Sequence, residues 1–596
     1  MRKATLALAL LLVSTTALAG GNLVRSHLDS GRPAMPSASD LQARLVQLYG
    51  AAATSTNVYV GSEFCIACHS DYAGWRDTKH NQALRRPMPE YALMPGKGIV
   101  ADYDKNGVDD FTQGLDFNAI ASAFDPYKPN APKLSAESGR YFVTIGDLKM
   151  PVIFTQGGTG EWKQRYGVRI PVTDRPGGLS AEIYMTPIQY NEAPDTYVLY
   201  NIGNWYDASN QPKWKAGMTS TQVASHGGTY SKKCIGCHTT GLRGIGQTST
   251  GEWLYNGWVA VLYNASDPSY FDYDGDGQAE IVNIGCEACH GPGGDHILSG
   301  GSPSKIVNPA KLSTEEANEV CGQCHIRVLS TPAGTHEWPF NDATKTPWVP
   351  GSGESLASYY KDAGGYWPDG KTSKQHHQQL EDLYRSTKPT FQFHPVRCTE
   401  CHNSHNQTGN QAQLVEQIVD GSLTIPTRNN DNTLCLACHA THGPFESITK
   451  EEVAHYADNV EKIGSVISAH SHHPYGPDRM MGLSRCSTCH MPATAVTAVA
   501  YDIHSHTFEV VPPEKTLNYQ ANGGMPNACA VSCHGGLVNS FKLGLDPSMS
   551  TWNAQFDKDL ASKLLLFYGP NGAWWQKTLS AKDLPVGVPA PPQTDD

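Results

Sequence analysis

Cys398-Thr-Glu-Cys401-His402-Asn-Ser-His405 places two thiols three residues apart, a histidine directly after them, and a second histidine three residues further on. The first five positions recur along the chain. Cys-x-x-Cys-His stands at Cys65/Cys68/His69, Cys234/Cys237/His238, Cys286/Cys289/His290, Cys321/Cys324/His325, Cys398/Cys401/His402, Cys435/Cys438/His439 and Cys486/Cys489/His490. An eighth copy, Cys529-Ala-Val-Ser-Cys533-His534, carries one extra residue between its thiols. These eight pairs use all 16 cysteines of the 596-residue chain.

A disulfide framework has no requirement for the residue after its second cysteine, and zinc pairs need no histidine directly after each one. Histidine is only 24 of 596 residues, so eight placements out of eight do not arise by chance. Covalent attachment of haem c does need this order. Two thiols add to the porphyrin vinyl groups, and the adjacent histidine is held beneath the ring as an axial iron ligand. The sequence therefore predicts eight haems. In the eighth motif the longer spacer has to bow outward to keep the sulfur separation.

Sixteen histidines remain after the motif histidines, twice what eight bis-histidine irons need. His405 and His442 each lie three residues beyond a motif histidine, too close to reach the far face of the same ring, so each would serve a neighbouring haem. His80, His226, His296 and His473 are further candidates by their closeness to motifs, as is His394 ahead of the fifth motif. His473 is chosen from a cluster with His470 and His472, and His504 from the pair His504/His506. His27, His336, His376, His377 and His455 are expected not to ligate. Met491 directly follows His490 and cannot cross to the other face of that ring.

The rest of the chain is ordinary globular material, 39% hydrophobic and 17% charged. Its net charge of −12 argues against nucleic acid as a partner. Haem propionates would make the assembled surface more acidic still. Residues 1–19 read as a signal peptide: basic Arg2-Lys3, a short apolar run and Ala17-x-Ala19, with cleavage before Gly20. Nothing further along is apolar for long enough to span a bilayer. The expectation is an exported protein, periplasmic or extracellular.

Between Cys65 and Cys234 lies the longest stretch without a motif. Arg140–Ile145, Met150–Gln156, Tyr166–Val172, Ala181–Thr186 and Thr196–Ile202 are rich in β-branched and aromatic residues and predict strands. The expected organisation is an N-terminal segment over 20–129, a β-rich insertion over 130–215 and motifs two to four over 216–340. An irregular connection follows over 341–392, then motifs five to eight over 393–545, and a C-terminal segment over 546–596 with a disordered Pro-rich tail. Ser313-Thr-Glu-Glu316 and Thr449-Lys-Glu-Glu452 are capping boxes, the first opening a helix into Cys321 and the second one reaching about Ser468. The fold class is thus short helices and coil wrapped around a haem chain, with a small β-rich insertion between the first and second motifs.

Two loops carry a different metal pattern. Asp102-Tyr-Asp104-Lys-Asn106-Gly107 and Asp272-Tyr-Asp274-Gly-Asp276-Gly277 match the oxygen-ligand half of an EF-hand calcium loop. Position nine is acidic in both, Asp110 and Glu280, but position twelve is Gln113 or Asn283 where the glutamate should be. Calcium is expected as a structural ion in both.

Several stretches resemble the large exported multihaem cytochromes of metal-reducing bacteria, a superfamily that also holds cytochrome c554, pentahaem nitrite reductase and hydroxylamine oxidoreductase. They are Cys234-Ile-Gly-Cys-His-Thr-Thr-Gly241, Gly285-Cys-Glu-Ala-Cys-His-Gly-Pro-Gly293, Trp162-Lys-Gln-Arg-Tyr166, Cys486-Ser-Thr-Cys-His-Met-Pro492 with His504-Ser-His506-Thr-Phe, and Pro526-Asn-Ala-Cys529. The resemblance implies closely stacked haems and electron exchange with other cytochromes or an external acceptor. Some relatives polymerise into filaments, so a homopolymer is one expectation. No motif ends in Cys-x-x-Cys-Lys, which departs from the nitrite reductase pattern. An electron carrier is the first expectation, with no catalytic residue named. A reductase of nitrogen or sulfur oxyanions at one open haem is the second.

Overall fold

Alternation of large apolar and polar side chains between residues 133 and 199 builds the one extended sheet among the described residues. The computed structural model describes residues 38–49, 58–331, 348–386, 395–428, 431–473, 484–534 and 551–568. His394, His27, His336, the expected signal peptide and the Pro-rich tail lie outside them. Strands β1 (Leu84–Arg85), β2 (Lys133–Glu137), β3 (Arg140–Ile145), β4 (Leu148–Gly157), β5 (Lys163–Val168), β6 (Tyr184–Asn191) and β7 (Thr196–Leu199) make up the sheet. From β2 to β7 it is an antiparallel meander, with β1 pairing on β4.

In β3, Tyr141, Val143 and Ile145 are buried while Phe142 and Thr144 are half-buried, the pattern of a strand with one face on a core. β6 is buried at every position, because both of its faces are covered. Tyr184, Ile188 and Tyr190 join a cluster with Phe111, Tyr141 and Tyr166, where the Phe111 ring meets the Tyr166 ring edge-on at 4.9 Å. Met185 joins a second cluster with Phe154, Tyr230, Ile235 and Tyr273. Tyr230 and Ile235 flank Cys234, so the second face of the sheet is the wall against which the second motif is laid.

Elsewhere regular structure is short. The Ser313 and Thr449 capping boxes form as expected: each hydroxyl accepts the N–H three residues on, and each glutamate accepts the cap's own N–H. The first opens Thr314–Gly322. The helix expected to run unbroken to about Ser468 is instead two, Lys450–Ala454 and Tyr456–Ser471. His455 leaves helical geometry between them, and its carbonyl accepts the Asn459 amide. Residues 348–386, expected as irregular connection, include a helix over Gln379–Arg385 and a strand Tyr360–Asp362 paired with Val328–Ser330.

The chain divides into two compact units, Met1–Cys324 with Val328–Lys361, and His325–Arg327 with Asp362–Asp596. The first contains the sheet. In the second, Tyr456–Ser471 buries Tyr456, Ile463 and Ile467 against Ile425, Leu436 and Ile448. A separate core gathers Trp367, Tyr501, Trp552 and Leu560. Gly524 is obligatory there: its φ is +68°, and a Cβ would lie 2.1 Å from the Trp552 carbonyl oxygen. Among the described residues no helix is long and apolar enough to cross a membrane.

Candidate functional site

Cys-x-x-Cys fits one helical turn, because residues three apart share a face. Cys286–His290, Cys398–Cys401, Thr433–His439 and Cys486–His490 are α-helical, and Ile235–Cys237 is a 3₁₀ turn. Cys65 lies in Ser62–Ile66 and Cys321 in Thr314–Gly322, with Cys68 and Cys324 just beyond. The eighth motif departs. Ala530–His534 is a π-helical turn, and widening the turn absorbs the inserted residue while keeping both thiols on one side. All sixteen cysteines are free thiols; Cys68 and Cys438 are exposed and the rest half-buried. The donor chemistry suits thioether attachment, and no cysteine is spent on a disulfide.

A metal-ligating imidazole keeps one nitrogen bare by donating from the other, and backbone carbonyls can only accept. Nδ1 of His290 donates to Val307 O at 2.8 Å, that of His402 to Ala412 O at 2.9 Å, and that of His490 to Phe508 O at 3.3 Å. His296, His442 and His473 do the same to Ser302, Ala440 and Ser471, at 2.7–2.8 Å. His504 and His506 donate to Met491 O and His504 O. Each leaves Nε2 with its lone pair. Burial reinforces the neutral form. It lowers the pKa of His290, His325, His402, His470 and His473, and takes His506 down to about 3.

The rings also come in pairs. Two imidazole nitrogens each about 2 Å from one metal ion put the ring centres roughly 6.3 Å apart. His69 and His296 are 6.3 Å apart, and His325–His377, His402–His506 and His470–His490 are each 6.4 Å. Every pair joins a motif histidine to one from outside a motif. Three are within 27° of parallel and the His325–His377 pair is at 86°. His296 is among the expected ligands and His377 among those expected not to ligate, while His506 and His470 are the near neighbours of the expected His504 and His473. The His506 N–H donates to the buried Asp382 carboxylate, which fixes this residue rather than its neighbour. His377 sits at φ +58°, and its Nδ1 lies 2.8 Å from that of His376.

His226, expected as a ligand, lies in the sheet core with its buried Nε2 lacking a hydrogen-bond partner. It is 1% exposed, with Tyr184, Trp205 and Trp214 rings 4.5–4.8 Å away. Its Nδ1 accepts the Gly228 N–H, so the ring proton is on Nε2, the wrong nitrogen for a ligand tied down at Nδ1. It is a packing residue of the sheet core. The second motif's His238, lowered to about 4 by burial, has Nε2 2.9 Å from the Gln156 amide nitrogen, and Arg165 lies within electrostatic reach. His80 is half-buried, and its carbonyl accepts the Ile284 N–H just ahead of the third motif. The His405 N–H donates to Asn403 and holds the turn after the fifth motif. His439 ends the helix Thr433–His439.

Motifs distant in sequence adjoin. The Cys65 thiol lies beside that of Cys286, Cys237 beside Cys324, and Cys435 beside Cys486. Cys289 is within electrostatic reach of Cys324, Cys401 of Cys435, and Cys489 of Cys529, as His402 is of His325. Glu287, inside the third motif, binds the first: its carboxylate accepts the Val60, Gly61 and Gly293 N–H groups at 2.7–3.1 Å. Burial still pushes it up to about 7.

The two aspartate loops differ. In the first, Asp104 accepts from the Asn106 and Gln113 amides, and Asp110 turns inward to accept from Tyr103 N–H and Tyr197 O–H. The carboxylates of this loop, where calcium is expected at Asp102, Asp104 and Asn106, accept from the loop's own donors, as Asp272, Asp274 and Asp276 also do in the second loop. In the second, Asp272, Asp274, Asp276 and Glu280 bring ligand oxygens within 4.8 Å of one another. Burial and the neighbouring carboxylates push Asp274 up to about 6 and Glu280 to about 9. Glu280, which the spacing marked only as a position-nine acid, is the residue sequence reasoning left out of the site.

No family model matches the chain. Two curated relatives are multihaem proteins: the multiheme cytochrome MtrA of Shewanella baltica, 23% identical over 241 residues, and cytochrome c-554 of Nitrosomonas europaea, 27% identical over 177. The alignments cover 38% and 28% of this chain, and the chain spans 61% of the length of each relative. Two solved structures align with it more loosely. The outer cell wall cytochrome OcwA is 20% identical, with TM-score 0.43, over 81% of this chain and 87% of that one. The undecaheme S-layer cytochrome of Carboxydothermus ferrireducens is 16% identical, with TM-score 0.33, over 83% and 59%.

Proposed function

We propose that this relative of the multihaem cytochromes is an exported carrier that passes electrons through eight covalently attached c-type haems to other cytochromes or an external acceptor. The observation that carries the reading is the spacing of the histidine pairs. Four motif histidines face a second ring at the distance one shared metal ion requires. Bound there, haem iron supplies reversible one-electron chemistry. The chain's own residues do the rest. The thiols fix each ring covalently, and the carbonyls of Val307, Ala412, Phe508 and Ser302 orient the imidazoles.

The thiol contacts support an order that departs from the sequence in the first unit and follows it in the second. In the first unit, motif one adjoins three, three adjoins four, and four adjoins two. In the second, five adjoins six, six adjoins seven, and seven adjoins eight. A carrier needs such a continuous series of neighbours. Pyridine haemochrome assay with intact mass should count eight haems per chain, falling to seven in a Cys486→Ser, Cys489→Ser variant. Fewer than eight in the parent protein overturns the proposal.

A second reading is favoured by motif two. With His226 engaged in the sheet core, the groups beside His238 are Gln156 and Arg165. An amide and a guanidinium suit a small oxyanion, so this is where a reductase site belongs. Carbon monoxide binding to one ferrous haem, with nitrite or hydroxylamine turnover lost on Arg165→Leu, would establish it. No carbon monoxide binding leaves the carrier alone.

A further inference from the structure

The geometry points to one calcium site, built by Asp272, Asp274, Asp276 and Glu280, that braces the segment holding the second haem motif. The two aspartate loops look equivalent in sequence, and the structure separates them. Asp272, Asp274 and Asp276 occupy the first, third and fifth places of the loop, and Gly277 at φ +89° makes the sharp turn of the sixth. A glutamate at the twelfth place normally closes such a loop. Here that place is Asn283, which is fully buried and spent on both polar groups of the Leu84 backbone, at 2.6 and 2.9 Å.

Glu280 fills the gap from the ninth place. It is 1% exposed, and its Oε1 has no hydrogen-bond partner. Its other oxygen accepts the Tyr273 N–H. A carboxylate oxygen buried without a donor is costly unless a cation meets it. Four carboxylates within 4.8 Å repel one another for the same reason. Hard oxygen donors of this number, on a loop of this spacing, select calcium over transition metals. The 102–113 loop lacks the device, since both oxygens of its ninth-place acid, Asp110, already accept, from the Tyr103 N–H and the Tyr197 O–H.

The site is wired to the second motif. The Asn283 N–H donates to the His238 carbonyl at 2.8 Å, and the Thr240 hydroxyl donates to the Asn283 carbonyl at 2.8 Å. The Thr239 hydroxyl donates to the Ile281 carbonyl at 3.0 Å. Calcium would therefore hold residues 272–283 as the rail along which His238–Thr240 lies. The proposal does not depend on the carrier reading, because its readouts are metal content and backbone protection.

The full-length haem-loaded protein is stripped with EDTA and titrated with calcium chloride alone, by calorimetry and by amide hydrogen exchange. The expected result is one calcium per chain, with exchange over 272–283 slowed at least tenfold and exchange over 102–113 unchanged. Glu280→Gln should weaken binding at least tenfold, and the exposed Asp276→Asn does the same if the buried variant folds poorly. Asp104→Asn should bind as the parent does. The proposal is overturned by no uptake, by two ions per chain, by equal protection from magnesium at the same concentration, or by parental affinity in both Glu280→Gln and Asp276→Asn.

Discussion

The sheet of residues 133–199 and the motif segment of residues 484–508 are stabilised by opposite means. The sheet closes its own hydrogen bonds along six antiparallel strands and packs Phe111, Tyr141, Tyr166 and Tyr190 to 2% exposure or less. The motif segment has a five-residue helix, Cys486–His490, with no buried residue in it, and a short strand pair, Ala493–Ala495 with Ile503–His504. Cys486 and Cys489 stay half-buried on this short helix and do not join a hydrophobic core. One region is a polypeptide core; the other, on the proposed reading, is the peptide half of a core whose other half is haem.

The strongest way to break this contrast is to remove the thiols. In Cys486→Ser, Cys489→Ser, amide protection over 484–508 should collapse to that of an open loop, while exchange over β3 to β6 stays within twofold of the parent. Loss of protection in the sheet as well would make the two regions one cooperative unit. Next is the reverse experiment. Phe111 is fully buried between Tyr141 and Tyr166, so Phe111→Ala should cost the sheet about 3–5 kcal/mol by denaturant-dependent exchange. The low-spin haem spectrum of motifs five to eight should not move.

A pH experiment sharpens the sheet side further. Glu182 is buried, accepts from Ile183 N–H and from Ser231 N–H and O–H, and leaves Oε2 without a donor. Burial raises it from 4.5 to about 8. The folded protein therefore holds a proton that the unfolded chain releases, so this group's contribution to stability falls as pH rises from about 4.5 to 8. Thermal midpoints of Glu182→Gln should lack that component of the decline; an unchanged slope removes Glu182 as its source. The smallest effect is local. Ser313→Ala breaks one capping box and should cost about 1 kcal/mol, read as faster exchange over Thr314–Gly322 alone.

How much of this was legible follows the same division. The strand at Arg140–Ile145 stands where β-branched and aromatic residues alternate, because one covered face writes period two into the sequence. β6 could not be bounded that way: with both faces covered it carries no alternation, and it begins at Tyr184 rather than Ala181. Attachment motifs are contiguous, so they could be read directly. Axial partners are not. His296 and His69 are 227 residues apart, and the choice of His506 over His504 turns on the Asp382 carboxylate, a contact 124 residues distant. Cage packing of His226 depends on Trp205 and Trp214 folding back over it. The two aspartate loops taught the same lesson, since Tyr197 and Leu84, neither in the loops, decide which carboxylates are left over.

The central claim, that rings 6.3–6.4 Å apart are the two ligands of one iron, is tested most directly by low-temperature electron paramagnetic resonance of single variants in the haem-loaded protein. His296→Ala, His377→Ala, His506→Ala and His470→Ala should each convert one of eight haems to a high-spin signal, while His376→Ala, His504→Ala and His226→Ala add none. High-spin iron in the second group, with none in the first, would contradict the account.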